Sequence, residues 1–170
     1  MRKKKIINLT RHASILHIGM SDANDNNKKE VASLYVFSAW RIVDKEKNII
    51  KVASGDRYER GSNISKNADF DWQIKGVTLL DEKLEKWFCE NESIYVEDIH
   101  LSGYGDLICE FSNGDVIEVI ANASETSECW RLFCETGEDT ECIVALGGYI
   151  DRSTESEEEL SLWRQTVENL

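Results

Sequence analysis

Five short β-rich segments crowd residues 93–145, at 93–101, 106–112, 115–121, 128–134 and 141–145. Turn-forming residues separate them, and the spacing of about 8–12 residues is that of an antiparallel meander. A chain so punctuated cannot form a helical bundle over this stretch. The turn at Ser112-Asn113-Gly114-Asp115 also sets a register. A two-residue Asn-Gly turn would place Cys109 opposite Glu118. A three-residue loop over 112–114, with Gly114 left-handed, places Cys109 opposite Ile117 and Leu107 opposite Val119. The second register keeps one face apolar and is the one expected.

Upstream, residues 13–20 read as a strand and 21–30 as a polar loop. Residues 32–43 and 48–53 read as a hairpin around the charged turn from Asp44 to Lys47, and 55–71 as irregular. A helix is expected over 77–90, with Leu80, Leu84, Trp87 and Phe88 on one stripe. Trp87 and Phe88 should both lie beneath a sheet. A terminal helix is expected over 154–169, because Thr154 and Glu157 have capping-box spacing and Leu160, Trp163, Val167 and Leu170 share a stripe. The fold class is therefore α+β. It is a mainly antiparallel curved sheet or partly open barrel, with one packed helix and a C-terminal helix, in a single domain over 1–170.

Charge is distributed unevenly. Residues 86–170 hold 20 Asp and Glu against 4 Lys and Arg, whereas residues 1–85 hold 12 against 16. The chain's net charge of −12 argues against nucleic acid and against an anionic membrane surface. It suits a basic protein partner or high solubility. No apolar run approaches the roughly 18 residues of a membrane helix. The basic start, Arg2 to Lys5, precedes a segment broken by Asn8, Arg11, His12 and His17, so no export signal is expected. The five cysteines form no Cys-x-x-Cys pair and are expected as reduced core thiols in a cytoplasmic protein.

The chemistry-bearing motifs are few. His12, His17 and His100 are scattered, so neither a metal site nor a cofactor is expected. Gly-x-Ser-x-Gly is absent, and Ser102-Gly103-Tyr104-Gly105 reads as a turn rather than a phosphate loop. No carboxylate pair stands out as an acid and base. Trp40-Arg41 and Trp130-Arg131 are two Trp-Arg steps on expected strands, where neighbours face opposite ways. With Asp56 they would line a cationic pocket suited to a carboxylate or phosphate. Arg11 and Arg57 are further candidates. Alternatively, Arg41 and Arg131 pair with Asp56, Glu110, Glu118 or Glu128 across the sheet.

Four segments in order, 33–41, 53–56, 105–114 and 128–133, form a Trp-Arg, Ser-x-Asp, Gly-Asp-Leu, Glu-x-Trp-Arg series. This series resembles a group of small uncharacterised bacterial proteins, some in toxin–immunity neighbourhoods. The resemblance implies an immunity-type protein but brings no activity or site residues with it. With the acidic half, it leads to the expectation of a non-enzymatic binding protein that occludes a basic toxin domain. The contact residues would be Asp115, Glu118, Glu125, Glu128, Glu135, Glu138, Asp139 and Glu141, with Trp163 as an anchor. The alternative is a small anionic-ligand or catalytic pocket lined by Trp40, Arg41, Asp56, Trp130 and Arg131.

Overall fold

The computed structural model describes residues 3–25, 28–66, 69–91, 93–137 and 139–168. Its strands are β1 (Lys4–His12), β2 (Ile15–Asp22), β3 (Ala32–Val36), β4 (Ala39–Asp44), β5 (Ile49–Ala53), β6 (Tyr95–Leu101), β7 (Leu107–Phe111), β8 (Asp115–Ile120), β9 (Glu128–Thr136), β10 (Asp139–Leu146) and β11 (Tyr149–Glu155). The helices are α1 (Leu79–Cys89) and α2 (Glu157–Glu168), and a 3-10 turn covers Ser54–Tyr58. The strands form one open antiparallel sheet in the order β11-β10-β9-β3-β2-β1-β6-β7-β8-β4-β5. This is the α+β architecture with a curved sheet that the sequence implies.

The sheet carries a core on each face. On one side α1 packs against both β1 and β5. Those strands stand far apart in the sheet order, so the run from β1 to β5 curls around the helix. Leu80, Leu84 and Trp87 of α1 join Ile6, Val52, Val96, Phe111 and Ile117 there. On the other side α2 lays Leu160 and Val167 on Ile15, Tyr35, Phe133 and Val144. The central strands are therefore apolar on both faces, and β3 is buried along its whole length.

The β7–β8 hairpin has the expected register. Cys109 stands opposite Ile117 and Leu107 opposite Val119, with Gly114 at φ +83°. The α1 stripe is also as expected, and Thr78 caps the helix in a reciprocal box with Asp81. Trp87 is buried, but Phe88 is only half-buried at the helix margin.

Other expectations are corrected. The five-strand meander is split, because β8 pairs with β4 while β9 inserts between β3 and β10. Trp130 and Phe133 bury on opposite faces of β9, so that strand belongs where both faces of the sheet are covered, beside the fully buried β3. Residues 32–43 are not one strand. The amides of Phe37 and Ser38 turn to the Cys129 carbonyl, which sends β3 and β4 to different neighbours. Thr154 does not begin the terminal helix, since it pairs with Glu141 within β11. The Ser156 hydroxyl accepts from the Glu159 amide at 3.3 Å and donates to its carboxylate at 2.7 Å. The capping motif thus lies two residues later, while Leu170 falls outside the described residues. Cys89 is exposed rather than core, and all five thiols are free.

Candidate functional site

The Trp-Arg constellation resolves into packing and ion pairs. Trp40 and Trp130 are 3% and 0% exposed in the α1-side core. The Trp130 indole donates to the Gly105 carbonyl at 2.7 Å. Arg41 faces away from Trp40 and pairs at 2.6 Å with Glu118, its directly opposed partner on β8. Arg131 pairs at 2.8 Å with Glu128 on its own strand and lies over the Trp163 ring. Asp56 accepts from the Ala53 amide and holds Lys83 at 3.0 Å. Each charged group of the set thus has a local counter-charge; Arg41–Glu118 is a pair across the sheet as expected, whereas Arg131 pairs along its own strand instead.

Arg11 is a structural pin. Its side chain is 2% exposed and forks onto Asp81 at 2.6 and 2.7 Å. Its remaining donors reach the carbonyls of Ala13, Trp72 and Ile74. Burial works to raise the Asp81 carboxyl, but bonds from Arg11 and Thr78 hold it below its usual range. Arg57 stacks on Tyr58 and Trp72.

Ser33, Glu30 and His17 form a polar chain near the α2-side core. The Ser33 hydroxyl donates to Glu30, whose carboxylate lies 3.5 Å from His17 Nε2. Burial pushes the Glu30 carboxyl up, while His17 and Ser33 more than reverse this and hold it low. The acid lies between hydroxyl and imidazole, so the order is wrong for nucleophile activation. His17 instead stacks flat on Tyr35, with ring centroids 4.4 Å apart. A Cβ at Gly19 would run into the Glu30 carboxylate, so the bare backbone there makes room for this network. Among the described residues, no group of three or more His, Cys, Asp or Glu is arranged to hold a metal.

The acidic candidates do not share one surface. Asp115 is 1% exposed and accepts from Trp87 Nε1 and Lys51 Nζ, each at 2.7 Å. It ties α1 to β8 and is unavailable to a partner. Trp163 is likewise occupied, edge-on to Tyr35 at 4.5 Å and to Phe133 at 5.1 Å. Glu118 and Glu128 hold the two arginines, and Glu135 holds Lys29 at 2.9 Å. Glu125 is exposed on the 121–127 connection. Glu138 lies outside the described residues.

No protein-family model matches the chain, and no curated protein or solved structure is detectably similar to it. The site rests on geometry alone.

Asp139 and Glu141 remain exposed at the start of β10. Cross-strand pairing brings Thr140 opposite Glu155 and Glu141 opposite Thr154, and α2 begins just beyond with exposed Glu157 and Glu158. Thus the β9–β10 turn, the end of β11 and the first turn of α2 meet in one acidic corner. Among the described residues, Asp139, Glu141, Glu157 and Glu158 hold no ion pair, whereas Glu97, Glu110, Asp115, Glu118 and Glu128 all do. Lys29 sits beside the corner, its ammonium held above its usual pKa by the bond to Glu135 and by that residue's charge. The helix-start acids also suit the positive end of the α2 dipole, and Glu155, Glu157 and Glu158 were not among the sequence candidates. The signal for them was the run of acids at a helix start, which points equally to simple capping.

Proposed function

We propose that the chain is a non-enzymatic binding protein that takes a basic protein partner on its acidic corner. The observation supporting this is the concentration of unpaired carboxylates at Asp139, Glu141, Glu157 and Glu158. Elsewhere in the C-terminal half, Glu97, Glu110, Asp115, Glu118, Glu128 and Glu135 are each held by a lysine or arginine. An unscreened acidic corner speeds encounter with a cationic surface and orients it. The specific form of the proposal is an immunity-type protein whose partner is a basic toxin domain, as the Trp-Arg series suggests.

The test is co-expression with toxin-domain genes that neighbour its own, read as growth protection, followed by binding kinetics. Asp139→Lys, Glu141→Lys and Glu157→Lys together should slow association at least about tenfold and leave the far-UV spectrum unchanged. Wild-type association should itself slow as salt shortens the screening length to about 8 Å at physiological ionic strength. Absence of protection and of binding would sink the proposal. A melting temperature raised by a small anion, and lost with Arg41→Ala, would replace it with a ligand pocket.

A further inference from the structure

β1 is paired fully on one edge only. It runs beside β2 from Lys4 to His12, but it meets β6 only at Lys4 and Lys5, with one further backbone bond from the Ile6 amide to the Ile94 carbonyl. Ile7 is the extra residue of a bulge, since Ile6 pairs with Met20 and Asn8 with Gly19. A bulge bends its strand and ends regular pairing. Beyond it, β1 parts from β6 and faces the C-terminal half of α1.

Two cavities of about 350 Å³ each follow this edge. Consecutive residues from β1 line them, Lys5-Ile6-Ile7 in one and Asn8-Leu9-Thr10-Arg11 in the other. Side chains alternate along a strand, so the consecutive run Asn8 to Arg11 reaches one cavity because that cavity looks onto the backbone edge, whereas Lys5 and Ile6 are already bonded on that edge by Tyr95 and Ile94. Phe88 and Cys89 border both cavities and make them one groove.

The rim of the groove has an unusual charge. Among the described residues, Lys3, Lys4, Lys29, Lys45, Lys47, Lys51, Lys83 and Lys86 each lie within 4.0 Å of a carboxylate. Lys5, Lys28, Lys66 and Lys75 do not, and three of these four, Lys5, Lys28 and Lys75, line this groove. Lys75 instead donates to the Thr10 hydroxyl on β1. Of the acids lining the groove, Asp81 is held by Arg11, and Glu85 stands on the α1 wall. In a chain of net charge −12, three of the four lysines without a carboxylate gather from separate segments on one groove, which marks a place for an outside anion.

We propose that this groove takes an extended, carboxylate-bearing segment of a partner protein, added as a strand to β1. The backbone edge would bond the segment's main chain, the half-buried Leu9 and Phe88 would take its apolar side chains, and Lys5, Lys28 and Lys75 its carboxylates. Ile7 to Arg11 gives room for about five residues, or roughly 17 Å of extended chain. A peptide fits better than an anionic lipid, because an acyl chain has no amides for the strand edge.

The probe is an N-acetylated, C-amidated heptapeptide of alternating glutamate and valine, titrated into the isotope-labelled full chain and followed by amide chemical shifts. Shifts should concentrate at Ile7–Arg11 and Leu84–Cys89. Replacing the peptide's glutamates by lysine, or N-methylating alternate amides, should each weaken binding at least about tenfold. Lys5→Glu, Lys28→Glu and Lys75→Glu together should give the same loss. If that variant unfolds, Cys89→Trp, which fills the groove from the α1 side, must do so. The proposal is overturned if no shifts appear up to about 1 mM peptide. It is equally overturned if the N-methylated peptide binds as well as the parent, or if decanoate shifts these amides while the peptide does not.

Discussion

Replacing Arg11 by Met tests how the region that frames the groove is held. The guanidinium ties β1 to α1 through Asp81 and to residues 72–74 through two carbonyls. The two side chains are 2% and 12% exposed. Removing one partner of a buried pair costs about 3–5 kcal/mol, because the other charge is stranded. Two features lower this figure. Asp81 keeps the Thr78 hydroxyl at 2.7 Å and the Thr78 amide at 3.1 Å. Gln73 and Ile74 are exposed, so that segment can turn its carbonyls to water. A loss of about 3 kcal/mol is expected at pH 7 from urea unfolding, with an unchanged m-value. The loss should also depend on pH. The folded Asp81 carboxyl titrates below its ordinary value of 3.8, so its contribution is fully present above that value. It disappears as pH falls through the folded pKa, and the gap between wild type and variant should narrow there. A double-mutant cycle with Asp81→Asn should show a coupling of about 2 kcal/mol. A loss below about 1 kcal/mol, or additive single mutants, would refute the pin.

Two glycines should respond differently to alanine. Gly114 has φ +83° with open space around a Cβ, so Gly114→Ala should cost only about 1 kcal/mol of left-handed strain. At Gly147 a Cβ would stand 2.5 Å from the Ala123 carbonyl carbon and 2.6 Å from the Glu125 amide nitrogen. Gly147→Ala should therefore cost upwards of about 2 kcal/mol by calorimetry, and equal costs would deny the close backbone approach. Thiol labelling of the native chain should take Cys89 first. Burial pushes Cys109 up to about 12 and Cys142 to about 11, so these should react last, and labelling of Cys109 as fast as Cys89 would contradict the core.

What the sequence made legible was local. Gly114 and the alternation on either side of it were enough for the β7–β8 register, and the Leu80-Leu84-Trp87 stripe was enough for α1. β1 is hidden in the sequence because Lys4, Lys5, Asn8, Thr10 and Arg11 break its alternation, although Lys4 and Arg11 are buried through carboxylate partners. Strand order was equally hidden, since nothing near Glu128–Thr136 marks Ala32–Val36 as its neighbour. The acidic half was plain from composition, but which acids stay uncompensated depends on cross-strand partners such as Arg41 opposite Glu118. Asp115 reads in the sequence like any other surface acid, and only the folded chain brings the Trp87 indole to donate to it.

The position of β9 has a consequence for synthesis. β3 lies between β2 and β9, yet β9 follows it only after β4 through β8 and α1 have been made. A nascent chain growing at about 5–20 residues per second therefore carries β3 with one edge bare for several seconds. The residues on that edge, Ala32 to Val36, are buried once folding is complete. During translation they form a short adhesive strand that invites chaperone capture or pairing with a neighbouring nascent chain. Slowing the ribosome between the codons for Val36 and Glu128 would prolong this exposure, so yield of soluble protein should track translation speed over that stretch more closely than over the last three strands.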